Sequence, residues 1–502
     1  MDRIDTTGLR LKKMQADRFA PFRRMTSRSG ILLLGAWFVV VVALTTRHVV
    51  WRDEVRALSL ALQGDSVVDM LRGLHGEGHP ALWYLLLRGA GTLLPPTAVL
   101  ATVSVVVALA AMVLLVRRSP FGAGLIALFM LGRPALYEYV VMSRNYGIAM
   151  LLMFLFAALY ERHRDRGVAL GLVLFLLANC NVHSAILAGA FCLFWLLDLL
   201  WNRHDLQPGA LRNFWLNAVV ACMGVALCAA TIYPPFNDAA QLDKSNWTVG
   251  GLATSLLLPS VGFPNLSGYP LWQAIMKPTG LWHEPYTTIL HLALSLMLVG
   301  SVLGLATRPA ASVAGAAALL GMSIFFSLIY RGSYRHEALL MVFILSLYWI
   351  SGRSRSIFTP TSVRYRLSRA GFACFVCVLL LQVVSSASRV VPITRGERPE
   401  GRSSELVKLI SSRPELRDAI IVADPDFLVE SIAHYLPNQT YLLRERKFGN
   451  IVVFSRNGRL SLGLDEVLAD ARAEFISATR LLASFGPVCC NDETFDVYLL
   501  DR

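Results

Sequence analysis

Residues 30–46 read Gly30-Ile31-Leu32-Leu33-Leu34-Gly35-Ala36-Trp37-Phe38-Val39-Val40-Val41-Val42-Ala43-Leu44-Thr45-Thr46, a run without a charge. As a helix it would be roughly 25 Å long, close to the thickness of a bilayer's hydrocarbon core. Charge returns at once in Arg47-His48-Val49-Val50-Trp51-Arg52-Asp53-Glu54. Upstream, residues 1–28 hold Arg3, Arg10, Lys12, Lys13, Arg18, Arg23, Arg24 and Arg28 against Asp2, Asp5 and Asp17. A basic segment this long, with no small-x-small cleavage site after the apolar run, reads as an uncleaved signal anchor with a cytoplasmic N-terminus.

The rest of the chain repeats the pattern. Of 502 residues 55% are hydrophobic and only 16% charged, where a soluble protein carries about a quarter. A single soluble globule is excluded. Further apolar runs lie near 97–116, 121–137, 146–160, 168–182, 184–201, 214–233, 286–306, 310–330, 337–351 and 370–388. The stretch His79–Leu94 is apolar but short and contains Arg88 and Gly91, which suits a helix lying at the membrane surface.

Loop charge sets the direction. With 79–94 at the outer surface, the basic linkers all face inside: Arg117-Arg118, 161–166, the linker with Arg203 and Arg212, Arg308, and 352–369. The last holds Arg353, Arg355, Arg364, Arg366 and Arg369 with no acid. If 79–94 crossed, all would flip outside, against the positive-inside bias. The reading is therefore a polytopic α-helical membrane protein with about 11 spans over 29–393 and a first outer loop at 47–96. A soluble α/β domain at 394–502 lies outside the membrane. The formal charge of +13 is then mostly topological, and no nucleic-acid partner is expected. From Arg395 onward, helix-like stretches (Ser404–Arg413, Asp426–Tyr435, Leu464–Glu474) alternate with β-rich runs (Ala419–Ala423, Thr440–Leu443, Ile451–Phe454, Asp496–Leu500), the pattern of a small α/β unit.

Charged residues that make poor anchors gather on the outer side. They are Asp53 and Glu54, Glu77 and His79, Glu138, Arg144 with Tyr146, His183, and Arg331, Arg335 and His336. Ionisable groups at membrane depth are costly and tend to be functional or paired. Arg144, Arg331 and Arg335 could clamp a phosphate or diphosphate, since guanidinium matches those oxygens two at a time. Asp53 could take the proton of an acceptor hydroxyl, and His79 or His336 could bond the leaving phosphate.

These motifs resemble the GT-C glycosyltransferases, multi-spanning enzymes that use polyprenyl-phosphate sugars, and in particular the aminoarabinose transferase and protein mannosyltransferase group. The resemblance rests on Asp53-Glu54, on Glu77-Gly78-His79-Pro80-Ala81-Leu82-Trp83-Tyr84, and on Tyr137-Glu138-Tyr139 followed by Arg144-Asn145-Tyr146. Asn181-Val182-His183 and Arg335-His336 are weaker echoes. Many relatives have a second proline where this chain has Ala81. The resemblance implies Asp53 as catalytic base with Glu54 beside it, a polyprenyl-phosphate-linked sugar as donor, and an envelope glycan, lipid or protein as acceptor. It also implies a bacterial inner-membrane location with a periplasmic tail.

His75, Glu77 and His79 alternate, a spacing a divalent metal can use. Short His/Glu runs among glycines are ordinarily solvated loops, so no cofactor is required. Two rival classes share the composition. A transporter or flippase of a lipid-linked glycan predicts charges and broken helices near the bilayer midplane and repeat symmetry. A non-catalytic envelope assembly protein predicts no dependence on Asp53.

Overall fold

A computed structural model of the chain describes residues 26–74, 77–202, 207–233, 248–353, 362–395, 402–452, 463, 465–467, 469, 479–485 and 495–500. The basic N-terminal segment up to residue 25, His75, Arg203, Arg355 and most of the expected helix Leu464–Glu474 lie outside the described residues.

Among the described residues, seven helices are long and apolar enough to cross a membrane: Ser27–Thr45, Pro96–Arg118, Val182–Trp201, Ala210–Ile232, Tyr286–Leu303, Pro309–Leu328 and Val363–Thr394. The chain is thus a multi-pass helical protein by the length and composition of its helices. The other expected runs are helical but shorter or more polar at their ends: Ala123–Leu131, Tyr146–His163, Ala169–Ala178 and Tyr334–Arg353. The run 121–137 does not form one continuous helix. It stops at Leu131, and Pro134 opens a π-helical turn, Pro134–Glu138. Proline has no ladder N–H to donate, and within the π-helical turn the Trp37 indole donates to the Ala135 carbonyl at 3.1 Å. The run 168–182 likewise ends at Ala178. Leu82–Gly91 has ten residues, too short to cross.

Without a hydrophobic gradient between lipid and protein, helices in a membrane associate through close backbone approach at small residues. Gly300, Gly304 and Gly371 supply it here. A Cβ on Gly371 would meet Gly300 O and Gly304 N at 2.3 Å, so Tyr286–Leu303 and Val363–Thr394 touch along their main chains.

The basic linkers that the structure describes gather at one end of the bundle. Arg353 donates to the carbonyls of Ala158 and Arg118. Arg308 forms a two-pronged pair with buried Asp198 at 2.7 and 2.8 Å and reaches Glu161 at 3.1 Å. Tyr160 Oη donates to Asp198 at 2.8 Å. Asp198 closes the helix that His183 opens, roughly 22 Å away along the axis. The ends bearing His183, Tyr146 and His336 therefore face the opposite side.

In the tail, β1 (Ile421–Val422) pairs in parallel with β2 (Thr440–Leu442), which pairs antiparallel with β3 (Lys447–Phe448). A separate antiparallel ladder joins β4 (Thr479–Phe485) and β5 (Phe495–Leu500). Ser403–Ser412 is helical, but Asp426–Tyr435 forms two 3₁₀ turns rather than a helix. Ile451 and Val452 are not in a strand.

Candidate functional site

Asp53 lies in the first turn of the helix Arg52–Leu62, just past the helix Ser27–Thr45. Its neighbour Glu54 is wholly buried and faces away from it. Glu54 accepts from the Ser143 N–H at 2.5 Å, the Trp51 N–H at 2.8 Å and His48 Nε2 at 2.8 Å. It thereby clamps the start of its own helix to the turn 139–145, which follows the π-helical break. That turn carries Arg144, whose position is the consequence.

Arg144 Nη1 donates to the Asp53 carbonyl at 2.7 Å and sits 3.4 Å from Oδ2 of the carboxylate. Arg144 Nη2 makes a long contact, 3.4 Å, with His79 Nε2. Guanidinium can only donate, so Nε2 must carry the lone pair, and the ring proton sits on Nδ1, 3.5 Å from the Glu77 carbonyl. Gly78, at φ +81°, makes the left-handed turn that brings His79 back toward Arg144. Burial lowers the His79 pKa, the Arg144 cation lowers it further, and it falls to about 4 despite Glu77 and Asp53. His79 is neutral at physiological pH.

Arg52 Nε lies 3.5 Å from the other Asp53 oxygen, and Arg335 stacks on the Trp51 ring at 4.8 Å. Burial pushes the Asp53 carboxyl up, but Arg144, Arg52, Arg335 and His79 together outweigh it and hold the pKa below the ordinary value. The Asp53 side chain nevertheless keeps 31% of its surface open. Three guanidinium groups around one accessible carboxylate leave the recess with positive charge to spare.

A layer of neutral polar groups backs this centre. The Ser333 N–H donates to His336 Nδ1 at 2.9 Å, so His336 Nε2 is the protonated nitrogen and donates to Tyr146 Oη at 2.7 Å. The Tyr146 hydroxyl proton is then available elsewhere. Tyr139 stacks on Tyr146 and donates to the Arg335 carbonyl at 2.7 Å. His183 stacks on His336 at 4.6 Å between centroids. Among the described residues, both His183 ring nitrogens and Asn181 Nδ2 are buried without a hydrogen-bond partner.

The fold thus brings together Asp53, His79, Arg144, Tyr146, His183, Arg335 and His336. Glu138 is instead taken by Arg133 at 2.6 and 2.9 Å. Arg331 is exposed. Arg52 was in plain view beside Asp53 but was assigned no role from sequence. Arg133 and Glu337 were legible only as charges embedded in or beside apolar runs. Glu337 accepts from Asn265 Nδ2 at 2.6 Å and the Leu266 N–H at 2.8 Å, pinning the loop 258–268 to the bundle. Among the described residues no three His, Cys, Asp or Glu side chains converge to hold a metal, and Glu77 is occupied by Arg56. No family model, curated protein or solved structure matches this chain.

Proposed function

We propose that this chain is an integral-membrane glycosyltransferase that moves a sugar from a polyprenyl-phosphate donor to an acceptor hydroxyl at the outer face of a bacterial inner membrane. The observation that carries the reading is the accessible Asp53 carboxylate 3.4 Å from Arg144, with neutral His79 on the same guanidinium. Asp53 follows closely on the membrane-length helix Ser27–Thr45.

The eleven-span arrangement with a cytoplasmic N-terminus and extracytoplasmic tail is part of the proposal. It is supported by the segregation of Arg118, Arg164, Arg308 and Arg353 to the end opposite Asp53, read through the positive-inside bias.

In the reaction, Asp53 accepts the proton of the acceptor hydroxyl while that oxygen attacks the anomeric carbon. The bond from that carbon to the phosphate oxygen breaks, and the polyprenyl phosphate leaves with the electron pair. One base and a direct displacement invert the anomeric centre. Arg144 and Arg335 stabilise the charge that grows on the leaving phosphate. Against the effect of burial, Arg144, Arg52 and Arg335 depress the Asp53 pKa. A phosphate on these arginines cancels part of their field and raises the carboxylate's affinity for a proton, so base strength develops when the donor is bound. Tyr146, His183 and His336 contribute uncharged polar atoms suited to sugar hydroxyls, and Glu54 sets the geometry from behind. An apolar groove of about 230 Å³ between Val182–Trp201 and Ala210–Ile232, lined by Leu193, Leu196, Phe214 and Ala218 among others, has the character a prenyl tail needs.

The test is to incubate the purified protein in lipid nanodiscs with a panel of polyprenyl-phosphate sugars and envelope-lipid extract. Release of polyprenyl phosphate together with a glycosylated product supports the proposal. Donor movement between leaflets without bond cleavage, or no turnover with any donor, removes it.

A further inference from the structure

The segment that carries Asp53 is gripped by a part of the chain almost four hundred residues away. The Val50 N–H donates to Tyr435 Oη at 2.7 Å. The Arg52 guanidinium lies over the Phe427 ring at 4.6 Å. Arg56 Nη1 donates to Glu430 Oε1 at 2.5 Å and to the Val452 carbonyl at 2.9 Å. Glu430 Oε1 in turn accepts the Val452 N–H at 2.7 Å. The three contacts bracket Asp53 on both sides, at positions 50, 52 and 56.

The grip reaches the other wall of the recess as well. Arg56 also donates to Glu77, Nε to Oε1 at 2.6 Å and Nη2 to Oε2 at 2.7 Å. Glu77 presents its carbonyl to His79 Nδ1. Arg56 and Glu430 are both buried. A buried guanidinium that bonds acceptors on two segments ties them together, because removing either acceptor leaves buried donors unpaired.

We infer that the tail segment 426–435 is a working part of the site, and that Glu430 is a positioning residue that sets Asp53 and His79 through Arg56 and Glu77. This rests on the reading of Asp53 as the base. The tail is not an accessory carried alongside the membrane domain. Its placement against residues 50–56 is a condition of the site's geometry.

Hydrogen–deuterium exchange on the full-length protein in nanodiscs, combined with the transfer assay, tests it. Glu430→Ala should speed exchange across 50–56 and 77–84 while leaving the helices Tyr286–Leu303 and Tyr334–Arg353 as protected as in the wild type. It should lower kcat by about tenfold or more with a much smaller change in donor KM, as misplacement of reacting groups does. Glu430→Gln, which keeps an acceptor oxygen for Arg56 and Val452, should recover most of both. Unchanged exchange at 50–56 in Glu430→Ala overturns the inference whatever the activity. Faster exchange with undiminished turnover also overturns it. Faster exchange in a protein whose wild type turns over no donor upholds the grip and defeats the transferase reading instead.

Discussion

The Arg144 guanidinium donates to the main-chain carbonyl of Asp53 at 2.7 Å and lies 3.4 Å from the same residue's carboxylate. One cation thus sets both the position and the charge of the candidate base. It comes from the turn 139–145, which follows the π-helical segment Pro134–Glu138.

Arg144→Lys keeps the charge but not the fork. An ammonium cannot reach the Asp53 carbonyl and His79 Nε2 together. Loss of one charge-assisted hydrogen bond costs about 1.5–3 kcal/mol, so kcat/KM should fall roughly ten- to hundredfold. Steady-state kinetics with a short-chain donor reads this. A lysine variant within twofold of wild type speaks against a forked contact.

His79 contributes a pH dependence of known sign. Its folded pKa, about 4, lies below the ordinary histidine value of 6.5. Between those values the unfolded chain binds the proton and the folded chain does not, so this contribution to stability shrinks as pH falls from about 6.5 toward 4. His79→Gln should flatten that part of the curve. Thermal midpoints of both proteins across the window provide the measurement. Parallel curves would mean His79 titrates normally.

How far the sequence went can be judged from particular residues. Apolar runs located the helices because a membrane helix must be apolar along its length. They did not mark the interruptions at Gly132–Pro134 and after Ala178, nor the short helices Val249–Leu257 and Tyr269–Met276. Asp53, His79 and Arg144 were legible as charges just beyond apolar stretches. Glu430 was not. It sits among ordinary tail acids, and its partner Arg56 is 374 residues away, a pairing that no local pattern records. The segment Asp426–Tyr435 has helical periodicity, yet it turns twice as 3₁₀, with Tyr435 and Glu430 both spent on the first loop rather than on a helix face.

At the far end of the bundle, Asp198 and Arg308 join the helices around them. Either Asp198→Leu or Arg308→Leu alone should cost about 3 kcal/mol or more, because each strands a buried charge. The double variant should recover part of that loss. Transfer at permissive temperature should be spared in all three, since the pair lies far from Asp53. Denaturation midpoints in mild detergent separate these cases, and additive losses in the double variant would argue against a coupled pair.

Glu430 has the opposite sign from His79. Burial raises its pKa to about 7, against the pull of Arg56, from an ordinary 4.5. The folded chain therefore holds a proton that the unfolded chain has already lost, and stability falls as pH rises from about 4.5 to 7. Glu430→Gln should lack this decline and be at least as stable as wild type at pH 8. A glutamine variant that melts earlier than wild type at pH 8 would show that the ionised carboxylate is the stabilising form.

The most direct test is single-turnover transfer by Asp53→Asn, with its fold verified by thermal shift, beside wild type on the same polyprenyl-phosphate sugar. Asparagine keeps the shape and loses the basic oxygen, and general-base catalysis is worth about 10²–10⁴ in rate. The account predicts a folded variant slowed by at least the lower of those factors, with donor still bound. Turnover near the wild-type rate would contradict it.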